Sequence, residues 1–100
     1  AGEPERGEVL QAGRLTLDPI RHQVKLDGRE INLTLKEFAV LHLLMARRGA
    51  VITRDELLQQ VWGYDYGGET RTVDMHVKTL RQKLGEGYIQ TVRGVGYKMV

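Results

Sequence analysis

The hydrophobic pattern of this chain changes period at Thr34, and this change constrains the fold more than any other feature. Upstream, apolar and polar residues alternate, as in Leu15-Thr16-Leu17 and Gln23-Val24-Lys25-Leu26, which indicates strands with one apolar face. Downstream, apolar residues recur at helical spacing. A chain of 100 residues, 41% of them hydrophobic, has room for one core. Strands and helices must therefore share a single domain of the α+β class.

The first third of the chain predicts a small antiparallel sheet. Residues 8–33 form a meander of alternating runs, and Asp27-Gly28 is typical of a tight hairpin. Its apolar face consists of Leu15, Leu17, Val24, Leu26, Ile31 and Leu33. The preceding residues, 1–7, contain two glycines, a proline and three charges, a composition typical of a flexible linker. We therefore expect a linker remnant over 1–7 and one domain over 8–100.

The first helix begins at a capping box, Thr34-x-x-Glu37, whose two side chains each accept the other residue's backbone amide. Residues 35–45 are apolar on nearly every side of this helix, and such a helix is normally the buried centre of a domain. We expect these residues to be core, and the helix to continue to about Arg48, where Gly49 ends it.

Two more helices and a hairpin follow. Thr53-x-x-Glu56 predicts a second capping box and a short helix ending at the next glycine. Thr70 is placed to cap a third helix over 70–84. The remaining residues predict a strand, a glycine-bearing turn over 93–96 and a final strand. The second and third helices, joined by a polar loop, form a helix-turn-helix arrangement with an enlarged turn.

Composition excludes most kinds of chemistry. The sequence contains no cysteine and no serine, and its three histidines are far apart without metal-ligand spacing. Disulfides, thiolate metal sites and serine or cysteine nucleophiles are therefore excluded, and we expect no metal, no cofactor and no enzyme. No apolar run approaches the roughly 18 residues that cross a bilayer. A cytoplasmic protein with no membrane partner is the expectation.

The net charge of +2 conceals a division along the chain. Residues 1–70 carry nine Lys/Arg and eleven Asp/Glu, a net charge of −2, whereas residues 71–100 carry six and two, a net charge of +4. A basic last third on a slightly acidic body favours one surface that meets a polyanion, although an ordinary solvated face would show the same charges.

The third helix has one apolar side and one polar side. The apolar stripe comprises Val73, Val77, Leu80 and Leu84, and the opposite side comprises Arg71, Met75, Lys78 and Gln82 with Thr72 and Thr79 beside them. Met75 is unusual on a polar face, but it suits the methyl group of thymine. Arginine can bind guanine through two hydrogen bonds, and lysine and further arginines can bind phosphates. The helix therefore favours the major groove of DNA, with an acidic protein partner as the alternative.

Residues beside that face complete the hypothesis. An arginine at the tip of the hairpin, Arg93, suits a narrow minor groove. We expect Asp74 to pair with Arg93 or Arg81, because a carboxylate repels phosphate. His76 either binds a phosphate or hydrogen-bonds a neighbour. Trp62 is expected to be mostly core, with its indole N–H able to reach a phosphate.

Four motifs in fixed order give the chain a family resemblance. They are Leu33-Thr34-x-x-Glu37-Phe38, Thr53-Arg54-x-Glu56-Leu57-Leu58-x-x-Val61-Trp62-Gly63, Arg71-Thr72-Val73-Asp74-x-His76-Val77-x-x-Leu80-Arg81-x-Lys83-Leu84 and Thr91-Val92-Arg93-Gly94-x-Gly96-Tyr97. Together they resemble the effector domain of OmpR/PhoB-family two-component response regulators over about residues 8–100. The resemblance implies a winged helix-turn-helix with an N-terminal antiparallel sheet, three helices and a C-terminal hairpin wing.

The resemblance also implies a function and its partners. It implies transcriptional regulation through sequence-specific binding to tandem half-sites of double-stranded DNA. It implies a sensor kinase, an RNA polymerase subunit as partner, and a phosphorylatable receiver domain that this chain lacks. The positions that contact DNA in the family fall on Trp62, Arg71, Thr72, Met75, His76, Lys78, Thr79, Arg81, Thr91 and Arg93.

The family's polymerase-contacting loop corresponds to Gly63, Tyr64, Asp65, Tyr66, Gly67, Gly68 and Glu69, for which a plain solvated connector is the alternative. Two positions depart from the family pattern. Met75 stands where a β-branched residue is usual, and Thr79 stands where many relatives have a basic residue. The base preference of relatives therefore does not transfer to this chain.

Overall fold

The computed structural model describes residues 9–100, so the linker predicted over 1–7 and the first residue of the predicted domain lie outside the described residues. The strands are β1 (Leu10–Ala12), β2 (Leu15–Asp18), β3 (Gln23–Leu26), β4 (Arg29–Ile31), β5 (Ile52–Thr53), β6 (Ile89–Val92) and β7 (Gly96–Met99). The helices are α1 (Leu35–Ala46), α2 (Arg54–Trp62) and α3 (Arg71–Leu84). Within the described range, none of the helices has the length and apolar character needed to cross a bilayer.

The N-terminal sheet is the predicted antiparallel meander, with strand order β1-β2-β3-β4. Asp27 and Gly28 join β3 to β4 with φ values of 56° and 84°, the left-handed conformation that a two-residue hairpin requires. On the predicted apolar face, Leu15, Leu17 and Val24 are buried. The other three members of that face are half-buried and pack against the edge of the core.

The capping box of α1 is confirmed. The Glu37 amide donates to Thr34 Oγ1 at 3.2 Å, and the Thr34 amide donates to Glu37 Oε1 at 2.8 Å. The helix ends at Ala46, two residues earlier than predicted. The expectation that all of residues 35–45 are core was wrong for Leu35, which is 72% exposed. Leu35 lies on the same side of α1 as Ala46, a solvent-facing side that the apolar sequence did not reveal.

The caps of the other two helices differ from the prediction. Thr53 accepts the Glu56 amide at 3.1 Å, but the reciprocal bond is missing because the Glu56 carboxylate pairs with Arg47 at the end of α1. Thr70 precedes α3 but makes no side-chain capping bond. Its φ and ψ of −63° and −16° are helical, whereas a capping side chain reaches the helix amides from an extended conformation.

A second sheet, with strand order β5-β7-β6, joins the C-terminal hairpin to the segment before α2. The two-residue strand β5 was not predicted. It pairs with β7 at Ile52↔Tyr97 and Thr53↔Gly96. A Cβ on Gly96 would lie 2.0 Å from the Ile52 carbonyl oxygen, so only glycine allows this approach. The predicted turn residue Gly96 is therefore the first residue of β7.

Candidate nucleic-acid interface

The orientation of α3 follows from its buried stripe. Val73, Val77, Leu80 and Leu84 are all buried, between 0% and 4% exposed, and they pack into the core shared with α1 and α2. The side of α3 opposite this stripe therefore faces solvent. It presents Arg71, Met75, Lys78 and Gln82, all exposed. Met75 is 61% exposed, although an apolar side chain gains nothing from water.

At the edge of α3 nearest α2, a half-buried histidine contacts an aromatic ring. His76 Nδ1 donates to the Thr72 carbonyl oxygen at 2.8 Å, and its ring meets the Trp62 ring edge-on with centroids 4.9 Å apart. Because Nδ1 is the donor to the helix, Nε2 is the nitrogen available for a ligand. Lys36 Nζ lies 5.5 Å from the Trp62 ring centroid. Trp62 is half-buried and packs against the core rather than lying within it, so it is less buried than expected.

Farther along the same edge of α3, a buried carboxylate of α1 engages two residues of the helix, one of which, Thr79, also donates to the His76 carbonyl oxygen. Glu37 is only 3% exposed. It accepts from Lys83 Nζ at 2.7 Å and from the Thr79 hydroxyl, besides the Thr34 amide of the capping box. Burial raises the pKa of Glu37, but the hydrogen bonds and the Lys83 charge outweigh that effect and lower the pKa from 4.5 to about 2. The sequence showed Glu37 as a cap and did not show this second role.

Arg81 is turned toward the hairpin. Its Nη2 donates to the Ile89 carbonyl oxygen at 2.9 Å and to Thr91 Oγ1 at 2.6 Å, and its Nε donates to the same carbonyl at 3.3 Å. The guanidinium therefore joins α3 to β6. Two of its three nitrogens are used within the protein, and Nη1 is the one left to face a phosphate.

Asp74 does not pair with Arg93 or Arg81, and that prediction was wrong. Its Oδ1 accepts from Arg54 Nε of α2 at 2.8 Å and from the Tyr97 hydroxyl of β7 at 2.5 Å. The packing of α2 against α3 brings Arg54 to the first turn of α3, whereas Arg93 is carried away at the hairpin tip. Burial and the Asp74 hydrogen bond raise the pKa of Tyr97, so the phenol remains the donor at neutral pH.

The hairpin extends an arginine into solvent beside α3. Arg93 is exposed at the tip, next to Gly94, whose φ is 75°. This left-handed residue closes the turn between β6 and β7. Thr91, one residue from the end of β6, is also exposed. Arg93, Thr91 and the outward face of α3 therefore all remain open to solvent.

The loop between α2 and α3 lies at the end of the same surface. Residues 64–69 are all exposed, and Gly63 is half-buried. The Tyr66 and Thr72 hydroxyls share a hydrogen bond of 3.3 Å, and the Tyr66 ring lies 6.2 Å from that of Trp62. A Cβ on Gly68 would lie 2.2 Å from the Tyr66 ring. The loop thus folds back on the start of α3 and leaves Tyr64, which is 76% exposed, outside.

No group of three histidine, aspartate or glutamate side chains within residues 9–100 is arranged to hold a metal ion. The geometry defines a winged helix-turn-helix domain: a capped helix and a loop lead to an amphipathic helix, and a hairpin stands beside it. Its open surface combines arginine, lysine, threonine and glutamine with one methionine. Such a surface can hydrogen-bond to base edges and pair with phosphates.

Comparison with known proteins gives the family. The family described as "Transcriptional regulatory protein, C terminal" matches residues 28–99. The sensory transduction protein RegX3 of Mycolicibacterium smegmatis is 48% identical over 96 residues, covering 91% of this chain and 42% of RegX3. The response regulator DrrB of Thermotoga maritima, described as an OmpR/PhoB homologue, has a TM-score of 0.85 and 33% identity, covering 92% of this chain and 44% of DrrB.

A further crystal structure is that of the Klebsiella pneumoniae RstA DNA-binding domain in complex with the RstA box. It has a TM-score of 0.84 and 35% identity, covering 93% of this chain and 97% of that domain.

The chain belongs to the OmpR/PhoB family of transcriptional regulatory proteins and corresponds to their C-terminal effector domain. The winged-helix fold and the family resemblance predicted from the sequence are confirmed. The family is one of transcriptional regulators and not of enzymes. The chain spans less than half the length of RegX3.

Proposed function

We propose that this domain regulates transcription by binding double-stranded DNA in a sequence-specific manner, with α3 in the major groove and the hairpin tip in the minor groove. One observation carries the proposal: the whole face of α3 opposite its buried stripe is open to solvent and bears Arg71, Met75, Lys78 and Gln82. The RstA domain, whose structure is described as a complex with the RstA box, has the same fold, which supports this use of the surface.

Each candidate residue receives a role from its surroundings. Arg71 and Met75 are exposed at the centre of the face and would contact base edges, and Lys78, exposed beside them, would contact a phosphate. His76 Nε2, the Thr72 hydroxyl and the Trp62 indole N–H would contact phosphates at the α2 edge. Thr79 and Arg81, whose polar groups are engaged with Glu37 and the hairpin, would lie at the boundary of the contact. Thr91 and Arg93 would contact the backbone and the minor groove.

The partners follow from the family and are also proposals. The complete regulator would carry a receiver domain that a sensor kinase phosphorylates, and two copies would occupy tandem half-sites. The exposed loop Gly63–Glu69 would contact an RNA polymerase subunit. Tyr64 at its outer surface is the kind of aromatic anchor that protein interfaces use. Since chromosomal DNA is the proposed ligand, the domain would work in the bacterial cytoplasm.

The experiment is selection of bound duplexes from a random library, followed by anisotropy titrations of the selected duplex at 50 to 400 mM salt. We expect the selection to recover a sequence motif arranged as a direct repeat. We also expect the logarithm of the association constant to fall linearly with the logarithm of the salt concentration, with a slope of about −0.9 for each phosphate contacted. An affinity that does not change with salt, or no enriched motif, contradicts the proposal. Stronger binding to an acidic polypeptide than to duplex DNA at low salt would favour the alternative of an acidic protein partner.

A further inference from the structure

Two side-chain links attach α3 to the hairpin at separate points along the helix. Near its start, Asp74 Oδ1 accepts from the Tyr97 hydroxyl of β7 at 2.5 Å. Near its end, Arg81 donates to the Ile89 carbonyl oxygen and to Thr91 Oγ1 of β6. Seven residues of α-helix separate the two links, about 10 Å at the rise of an α-helix. A single side-chain link would tie the hairpin to α3 at one point, whereas two links this far apart also constrain the angle of the hairpin to the helix axis.

Tyr97 is the point at which these links meet. Its ring lies 5.7 Å from the Arg54 guanidinium and 5.6 Å from that of Arg81, distances at which a cation is attracted to an aromatic ring. Asp74, which holds the Tyr97 hydroxyl, also pairs with Arg54 at 2.8 Å. Because Tyr97 is only 4% exposed, this arrangement cannot be a loose surface contact.

We propose that Asp74 and Tyr97 are positioning residues that set the distance between the DNA-facing side of α3 and the hairpin tip. Tyr97 is buried and Asp74 Oδ1 accepts from Arg54 and Tyr97, so the role proposed for both residues is within the protein. Together they place Arg93 where it reaches the minor groove while α3 lies in the adjacent major groove. This inference rests on the proposed function, since it concerns how the two DNA contacts are coordinated.

The rival explanation is that backbone pairing alone positions the hairpin. β5 holds β7 through two residue pairs, and this pairing involves none of the side chains in the two links. If backbone pairing were sufficient, removing the Tyr97 hydroxyl would cost stability but would leave the contribution of Arg93 to DNA binding unchanged. That difference makes the proposal testable.

The test is a double-mutant cycle on the duplex selected with the intact domain. Dissociation constants are measured for the wild type, Tyr97→Phe, Arg93→Ala and the double variant, at a temperature where all are folded by circular dichroism. We expect the fold-loss on Arg93→Ala to be about three- to tenfold smaller in the Tyr97→Phe background than in the wild type, as for coupled residues. Asp74→Ala, which removes the acceptor of the same link from the helix side, should give the same result.

Tyr88→Phe is the matched control, because Tyr88 is a half-buried tyrosine just before β6 that contributes no side chain to either link. In its background, Arg93→Ala should cost as much as in the wild type. An equal cost of Arg93→Ala in the wild-type, Tyr97→Phe and Asp74→Ala backgrounds overturns the inference and leaves DNA binding intact. The inference is also overturned if Arg93→Ala does not weaken binding of the wild-type domain to the duplex. A wild-type domain that does not bind duplex DNA overturns the proposed function itself.

Discussion

Replacing Glu37 with glutamine removes the buried negative charge that connects the start of α1 to α3. The carboxylate accepts from the Thr34 amide at 2.8 Å, from Lys83 Nζ at 2.7 Å and from the Thr79 hydroxyl. Glutamine has a similar shape and retains one carbonyl oxygen. The variant therefore tests the charge and its hydrogen bonds, and leaves the space filled.

The magnitude follows from the pKa of Glu37, which folding lowers from 4.5 to about 2. Each pKa unit corresponds to about 1.4 kcal/mol, so the ionised carboxylate stabilises the fold by about 3 kcal/mol at pH 7. Because the folded pKa is the lower one, this contribution is fully present above pH 4.5. It is lost as the pH falls toward 2.

The assay is urea denaturation of the wild type and Glu37→Gln at pH 7, 5, 4 and 3. We expect the variant to be about 2–3 kcal/mol less stable at pH 7 and 5, with the gap shrinking at pH 4 and further at pH 3. Glu56→Gln is the control, since Glu56 is 35% exposed in its pair with Arg47 and should cost less than about 1 kcal/mol. A stability gap for Glu37→Gln that is the same at every pH would show that ionisation of Glu37 does not stabilise the fold.

Four further outcomes are expected. Arg71→Ala should cost about 1–3 kcal/mol of DNA binding and relax preference at one base pair, measured by anisotropy against single-base variants of the selected site; unchanged base preference removes Arg71 from base recognition. Arg93→Ala should weaken binding most on A·T-rich flanks, and equal loss on G·C-rich flanks would indicate a phosphate contact only. Leu80→Ala, at a fully buried position, should cost about 2–5 kcal/mol in urea denaturation; a loss under 1 kcal/mol argues against this packing. Gly96→Ala should break the pairing with Ile52, because the added Cβ would lie 2.0 Å from a carbonyl oxygen; hydrogen exchange of the β7 amides measures this, and unchanged protection contradicts it.

Much of the fold was predictable because its signals are local. The capping box at Thr34, the Asp27-Gly28 hairpin and the buried stripe of α3 each depend on residues only a few positions apart. The exceptions have physical reasons. Leu35 is apolar and yet exposed, because hydrophobicity alone does not tell which side of an apolar helix lacks a neighbour. Strand β5 has two residues, too few for any period to show.

The candidate surface was predictable for the same local reason. Once the stripe of α3 is known to face inward, helical geometry places Arg71, Met75 and Lys78 outward. The partners of the remaining polar residues were not predictable. Asp74 attracts any cation, and only the packing of α2 against α3 selects Arg54, twenty positions away, over Arg81 or Arg93.

Four features could be predicted from the sequence: the order of the helices and of every strand except β5, the side of α3 that faces the core, the concentration of basic residues in the last thirty positions, and the family. Periodicity, turn residues and helix caps depend on residues only a few positions apart, so they can be recognised in the amino-acid sequence. Tertiary structure alone decided that Glu37 engages Lys83, 46 positions away, and that Asp74 and Arg81 link α3 to the hairpin. Such contacts depend on angles between packed elements, which no local pattern encodes.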